Sequence, residues 1–140
     1  MTRTKKSGMK AWGGRAAAIG ALGLASVALA AVPAFAKGDV GITAPRTAHV
    51  GKTFTITAHG DDDSASYLHQ LCLEERTGTQ PWHQENCTTP VKHDARLTAH
   101  GSAAHRGDLQ FRAVLYGLTS KHDHHPVRLH ASNTVTVHVR

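Results

Sequence analysis

Residues Gly107–Gly117 read GDLQFRAVLYG. Leu109, Phe111, Ala113 and Leu115 occupy alternate positions, with Gln110, Arg112, Val114 and Tyr116 between them. Successive side chains of an extended chain point to opposite faces. The stretch therefore predicts a strand over 108–117, one face turned to a core and the other to water. The same period recurs on both sides. Phe54 and Ile56 alternate with Thr53, Thr55 and Thr57, while Val135, Val137 and Val139 alternate with Thr134, Thr136 and His138. Val and Thr suit a pleated, half-buried surface.

Turn-forming clusters punctuate these runs at Val50-Gly51-Lys52, Gly60–Ser64, Gly101–Gly107 and Lys121–Pro126. The resulting expectation is strands near 40–44, 53–59, 66–75, 81–88, 95–100, 108–117 and 133–139. No stretch of this region sustains a helical period. About seven short strands at such spacing predict an all-β chain, an antiparallel β-sandwich of two sheets.

The two cysteines fit one hairpin of that sandwich. If strands 66–75 and 81–88 turn at Thr79-Gln80, Cys72 stands directly opposite Cys87, close enough to be bridged. Neither cysteine belongs to a CxxC pair, which argues against a zinc ribbon or a thioredoxin-type centre.

The N-terminal region has a different composition. Arg3, Lys5, Lys6, Lys10 and Arg15 precede an uncharged run rich in Ala, Leu, Gly and Val from Ala16 to Val32, then Pro33 and Ala34-Phe35-Ala36. A basic start, an apolar centre and a small-x-small end predict a cleaved signal peptide over 1–36. An uncleaved anchor is the alternative, but the run is only weakly hydrophobic and Pro33 interrupts it. Cleavage would leave residues 37–140 as one secreted, extracellular domain without a membrane span. It also changes the charge. Five of the 16 Lys+Arg and none of the 10 Asp+Glu lie in 1–36, so 37–140 holds 11 basic and 10 acidic residues, a net of +1. The basic balance of the whole chain thus gives no support for nucleic acid as a partner. Export would also favour oxidation of Cys72 to Cys87.

His49–Gly60 (HVGKTFTITAHG), Ser66–Gln84 (SYLHQLCLEERTGTQPWHQ), Gly107–Gly117 and Ser132–Arg140 (SNTVTVHVR) together resemble the immunoglobulin-like domains of small secreted bacterial proteins, actinobacterial ones included. The resemblance implies an immunoglobulin-like sandwich across 37–140. It transfers no functional residue, because that fold hosts many unrelated roles. Chromoprotein antibiotic carriers are similar in size and class but use two disulfides. Copper sandwiches that ligate through an N-terminal histidine differ as well, since the expected mature start is Lys37.

All 12 histidines lie beyond the leader. The densest cluster is His122-Asp123-His124-His125, in an expected loop between the last two strands. Imidazole suits zinc or copper and Asp can add oxygen, which makes His122, Asp123, His124 and His125 candidate metal ligands. The alternative is a solvated polar loop. Asp61-Asp62-Asp63 lacks the spaced acceptors of a calcium loop. His93-Asp94 and His122-Asp123 are chance neighbours in a chain this rich in histidine. There is no G-x-S-x-G, H-E-x-x-H or phosphate-binding glycine motif. The sequence thus predicts a non-enzymatic binding or structural module with an unknown extracellular ligand or cell-surface partner. An extracellular zinc- or copper-binding protein is the alternative.

Overall fold

The computed structural model describes residues 38–140; the expected signal peptide lies outside them. The described residues form nine strands and no helix: β1 (Asp39–Thr43), β2 (Thr47–Ala48), β3 (Phe54–Asp61), β4 (Leu68–Thr77), β5 (His83–Cys87), β6 (Ala95–Gly101), β7 (Gly107–Leu118), β8 (Val127–Ala131) and β9 (Val135–Val139). They build two sheets. The smaller has the order β1-β3-β6, and the larger runs β2-β9-β7-β4-β5 with β8 also against β7. All pairings are antiparallel except the short β2–β9 ladder.

Alternation decides which face packs. Phe54, Ile56 and Ala58 of β3 and Leu97 and Ala99 of β6 turn inward from the small sheet. Leu71 and Leu73 of β4, Leu109, Phe111, Ala113 and Leu115 of β7, and Val137 and Val139 of β9 meet them from the large one. Phe54 and Phe111 touch edge to face, their centroids 6.0 Å apart, the geometry that aromatic quadrupoles favour.

Nine strands replace the expected seven, for two local reasons. The chain changes sheets after β1, where Pro45 cannot donate to a ladder, and two residues then pair with β9 as β2. At the other end, β8 and β9 lie end to end along the same side of β7, broken at Ser132–Thr134. Ser132 holds the break: its amide donates to the Ala113 carbonyl at 2.8 Å, and its hydroxyl accepts the Ala113 amide at 2.9 Å.

The expected Cys72–Cys87 disulfide is present, on directly opposed residues of β4 and β5. Nearer the turn the hairpin differs from a regular ladder. Glu74 pairs with Gln84 rather than Glu85, so Glu85 is a bulge. Gly78, at φ +57°, makes the turn, a conformation that glycine adopts without a steric penalty. Val114, expected on a wet face, is fully buried. It stands beside Cys72 in the ladder, at the disulfide on the outer face of the large sheet.

Candidate binding site at the loop end

The registers fix which loops are neighbours. Asp39 pairs with Asp61, Gly60 with Ala95, Leu68 with Leu118 and Gly117 with Val127. The β3–β4 loop (62–67), the β5–β6 loop (88–94) and the β7–β8 loop (119–126) therefore emerge at one end of the sandwich. Loops at such an end are free to carry recognition while the sheets hold them in place.

One histidine–aspartate hydrogen bond and one looser approach link the sheets here. His130 of β8 lies 2.6 Å from Asp62 through Nε2 and Oδ2. Asp62 also accepts the Ser64 amide at 2.7 Å, which shapes the β3–β4 loop. Burial pushes the Asp62 carboxyl up, but the Ser64 amide and His130 together outweigh it and hold the group below the ordinary range. His69 of β4 is fully buried, and neither ring nitrogen has a hydrogen-bond partner. Its Nδ1 stands 3.6 Å from Asp61 Oδ1, beyond hydrogen-bond range. Asp61 Oδ1 instead accepts the amides of Asp94 at 3.2 Å and Asp62 at 2.9 Å. The Asp94 amide is the main reason that the Asp61 carboxyl also lies below its usual range. Asp94 itself has φ +50°, a left-handed conformation that Asp tolerates better than most residues, and its carboxylate binds Arg96 at 2.8 Å.

The β5–β6 loop is tied to β4 rather than free. His69 and Val91 exchange both backbone hydrogen bonds, at 2.6 and 2.9 Å. Thr88 donates its amide to Leu71 and accepts the Leu71 amide on its hydroxyl. This anchoring sets Lys92 and His93 beside the β3–β4 loop. Between them lies a cleft of about 410 Å³, lined by Ala65, Ser66, Tyr67, Leu68, Lys92, His93 and Thr119. Tyr67 packs over Gly117, where a Cβ would come within 2.8 Å of the ring; a larger residue at 117 would displace the aromatic wall.

The residues singled out as metal ligands fall on the β7–β8 loop, beside this cleft. Asp123 organises that loop. Its Oδ2 accepts the Thr119 amide at 2.8 Å and the Thr119 hydroxyl at 2.9 Å, and its Oδ1 accepts the His125 amide at 2.8 Å. The Thr119 and His125 amides hold its carboxyl below the usual range. His122, His124 and His125 are exposed. Among the described residues no three His, Cys, Asp or Glu side chains come together as a metal site.

Sequence reasoning did not find His69, the Asp62–His130 contact or the cleft. Each depends on residues far apart in the chain. A histidine at an inward position of an alternating run, between Leu68 and Leu71, was the only available signal.

A second cluster lies at the far end of the same β-hairpin. Trp82 has the guanidinium carbons of Arg76 and Arg112 at 4.5 and 4.3 Å from its ring centroid. Arg112 binds Glu74 at 2.6 Å and Arg76 binds Gln110 at 2.6 Å.

No protein-family model matches this chain, and no curated protein sequence does. Solved structures do match. The solution structure of a CARDB domain from Pyrococcus furiosus superposes with a TM-score of 0.51 at 17% identity, over 74% of this chain and 94% of that one. The crystal structure of that domain in complex with di-metal ions gives 0.50 at 16% identity, over 79% and 95%. The fold is immunoglobulin-like. At this identity the likeness carries the fold alone. A PKD domain of an M14-like peptidase from a Thermoplasmatales archaeon gives 0.46 at 15% identity, over 71% and 89%.

Proposed function

We propose that the chain is an exported, non-enzymatic immunoglobulin-like module that binds an extracellular partner through its loop end. The observation behind this reading is the cleft between three loops at one end of the sandwich, walled by Tyr67 and rimmed by Lys92, His93 and Thr119. Concave sites with an aromatic wall and a few polar groups are where ligands bind. The disulfide supports work in an oxidising compartment, and no described helix is long and apolar enough to cross a membrane. The signal-like segment 1–36 supports export.

The test is binding of the fluorescently labelled protein to isolated cell envelopes of the producing organism. Saturable binding that falls when Lys92 and His93 are replaced by Ala, and not when Arg106 at the opposite end is replaced, is expected. Binding that is absent, or unaffected by the loop-end substitutions, would contradict the reading.

A further inference from the structure

At the loop end most carboxylates are engaged within the domain, while several basic side chains are not. Asp61 accepts two backbone amides, Asp62 one amide and His130, Asp94 binds Arg96, and Asp123 takes three donors from its own loop. Only Asp63 is exposed without such a bond. Of the basic side chains, Arg96 and His130 are paired with Asp94 and Asp62, and others are not. Among the described residues Lys92, His93, Lys121, His122 and His124 form no ion pair, and all five are exposed. His93 lies within electrostatic reach of Asp61 and helps to hold its carboxyl low. The cleft lining holds Lys92 and His93 but no carboxylate.

We infer that this cleft binds an acidic saccharide, a sugar unit whose carboxylate sits between Lys92 and His93. The inference rests on the binding-module reading above and gives its ligand a chemical class. An acidic sugar offers three features that the cleft matches. Its carboxylate meets Lys92 and His93, neither of which is in an ion pair. Its C–H face meets the partly exposed ring of Tyr67. Its hydroxyls meet Ser66 and Thr119, the latter as an acceptor because its own proton goes to Asp123. Nucleic acid fits less well, because residues 37–140 are nearly balanced in charge and the cleft has a single aromatic wall, where single-stranded binding uses several stacking rings.

Isothermal titration of the purified protein with oligogalacturonate, maltohexaose and a single-stranded oligodeoxynucleotide decides the matter. Saturable binding of oligogalacturonate is expected, weakening with added salt, with maltohexaose at least tenfold weaker and the oligonucleotide no tighter than maltohexaose. Lys92→Ala and His93→Ala should each weaken oligogalacturonate about fivefold, the equivalent of roughly 1 kcal/mol. Arg106→Ala should leave it unchanged, and circular dichroism should show all variants folded. Absence of oligogalacturonate binding, equal binding of maltohexaose, tighter binding of the oligonucleotide, or insensitivity to Lys92 and His93 would each overturn the inference. Envelope binding without oligogalacturonate binding would leave the module reading standing and remove this one.

Discussion

Basic side chains gather in two regions of this domain, and the structure handles them in opposite ways. Around Trp82, Arg76 and Arg112 are engaged: each lies against the indole, and each has a hydrogen-bonding partner on a neighbouring strand. At the loop end the acids other than Asp63 are occupied, and Lys92, His93 and Lys121 are exposed and form no ion pair. Charges that have satisfied one another hold a sheet face together. Charges left over, on loops fixed by a rigid scaffold, are available to something else. The first region is therefore read as structural and the second as the binding region, although the first has the more conspicuous aromatic.

The largest effect expected from breaking this contrast comes from the hairpin. Replacing Cys72 and Cys87 by Ser should cost about 3 kcal/mol in a urea unfolding experiment, because the closed loop no longer restrains the unfolded chain. Loss of Trp82 should cost less, about 1–2 kcal/mol for two stacked guanidinium groups. Neither change should alter oligogalacturonate affinity in protein that remains folded. An affinity loss on Trp82→Ala would make the structural region part of the site.

A smaller effect separates the two regions by pH. Glu75, at the hairpin end of β4, has its carboxyl pushed up, by burial first and by Glu85 second. A folded-state value above the unfolded one means that the charged form works against folding. Glu75→Gln should therefore raise Tm at pH 7, and the gain should shrink as pH falls through the raised Glu75 range. Asp62 is held low, so its contribution is present above the unfolded carboxylate value near 3.9 and is lost as pH falls towards the folded one. Asp62→Asn should lower Tm at pH 7, and the deficit should disappear in stronger acid. The smallest effect belongs to Lys92→Ala: stability should stay within about 0.5 kcal/mol of the parent, as for other surface changes, while oligogalacturonate affinity falls.

The sandwich was legible because alternation is local. Phe54, Ile56, Leu109, Phe111, Ala113, Leu115, Val137 and Val139 declare their inward face within their own strand, and the cysteine spacing declares the hairpin. Features set by two distant segments were not legible. β8 was missed because its continuation into β9 is broken at Ser132–Thr134, and only Ala113 on β7 shows what the serine does there. Val114 was placed in water because alternation describes one strand, while its burial comes with a disulfide joining two others. The histidines were legible as a number and as a cluster at 122–125. Their arrangement was not. His69 and His130 lie on different strands of one sheet and meet Asp61 and Asp62 at the end of the other, and Lys92 reaches the cleft only through the pairing of Val91 with His69.

The most direct test of the contrast is a heteronuclear NMR titration of the isotopically labelled protein with oligogalacturonate. The amide shifts that move should be those of Ser66, Tyr67, Lys92, His93 and Thr119, with Arg76, Trp82 and Arg112 unmoved. Shifts centred on Trp82 and its two arginines, or no shifts at all, would contradict it.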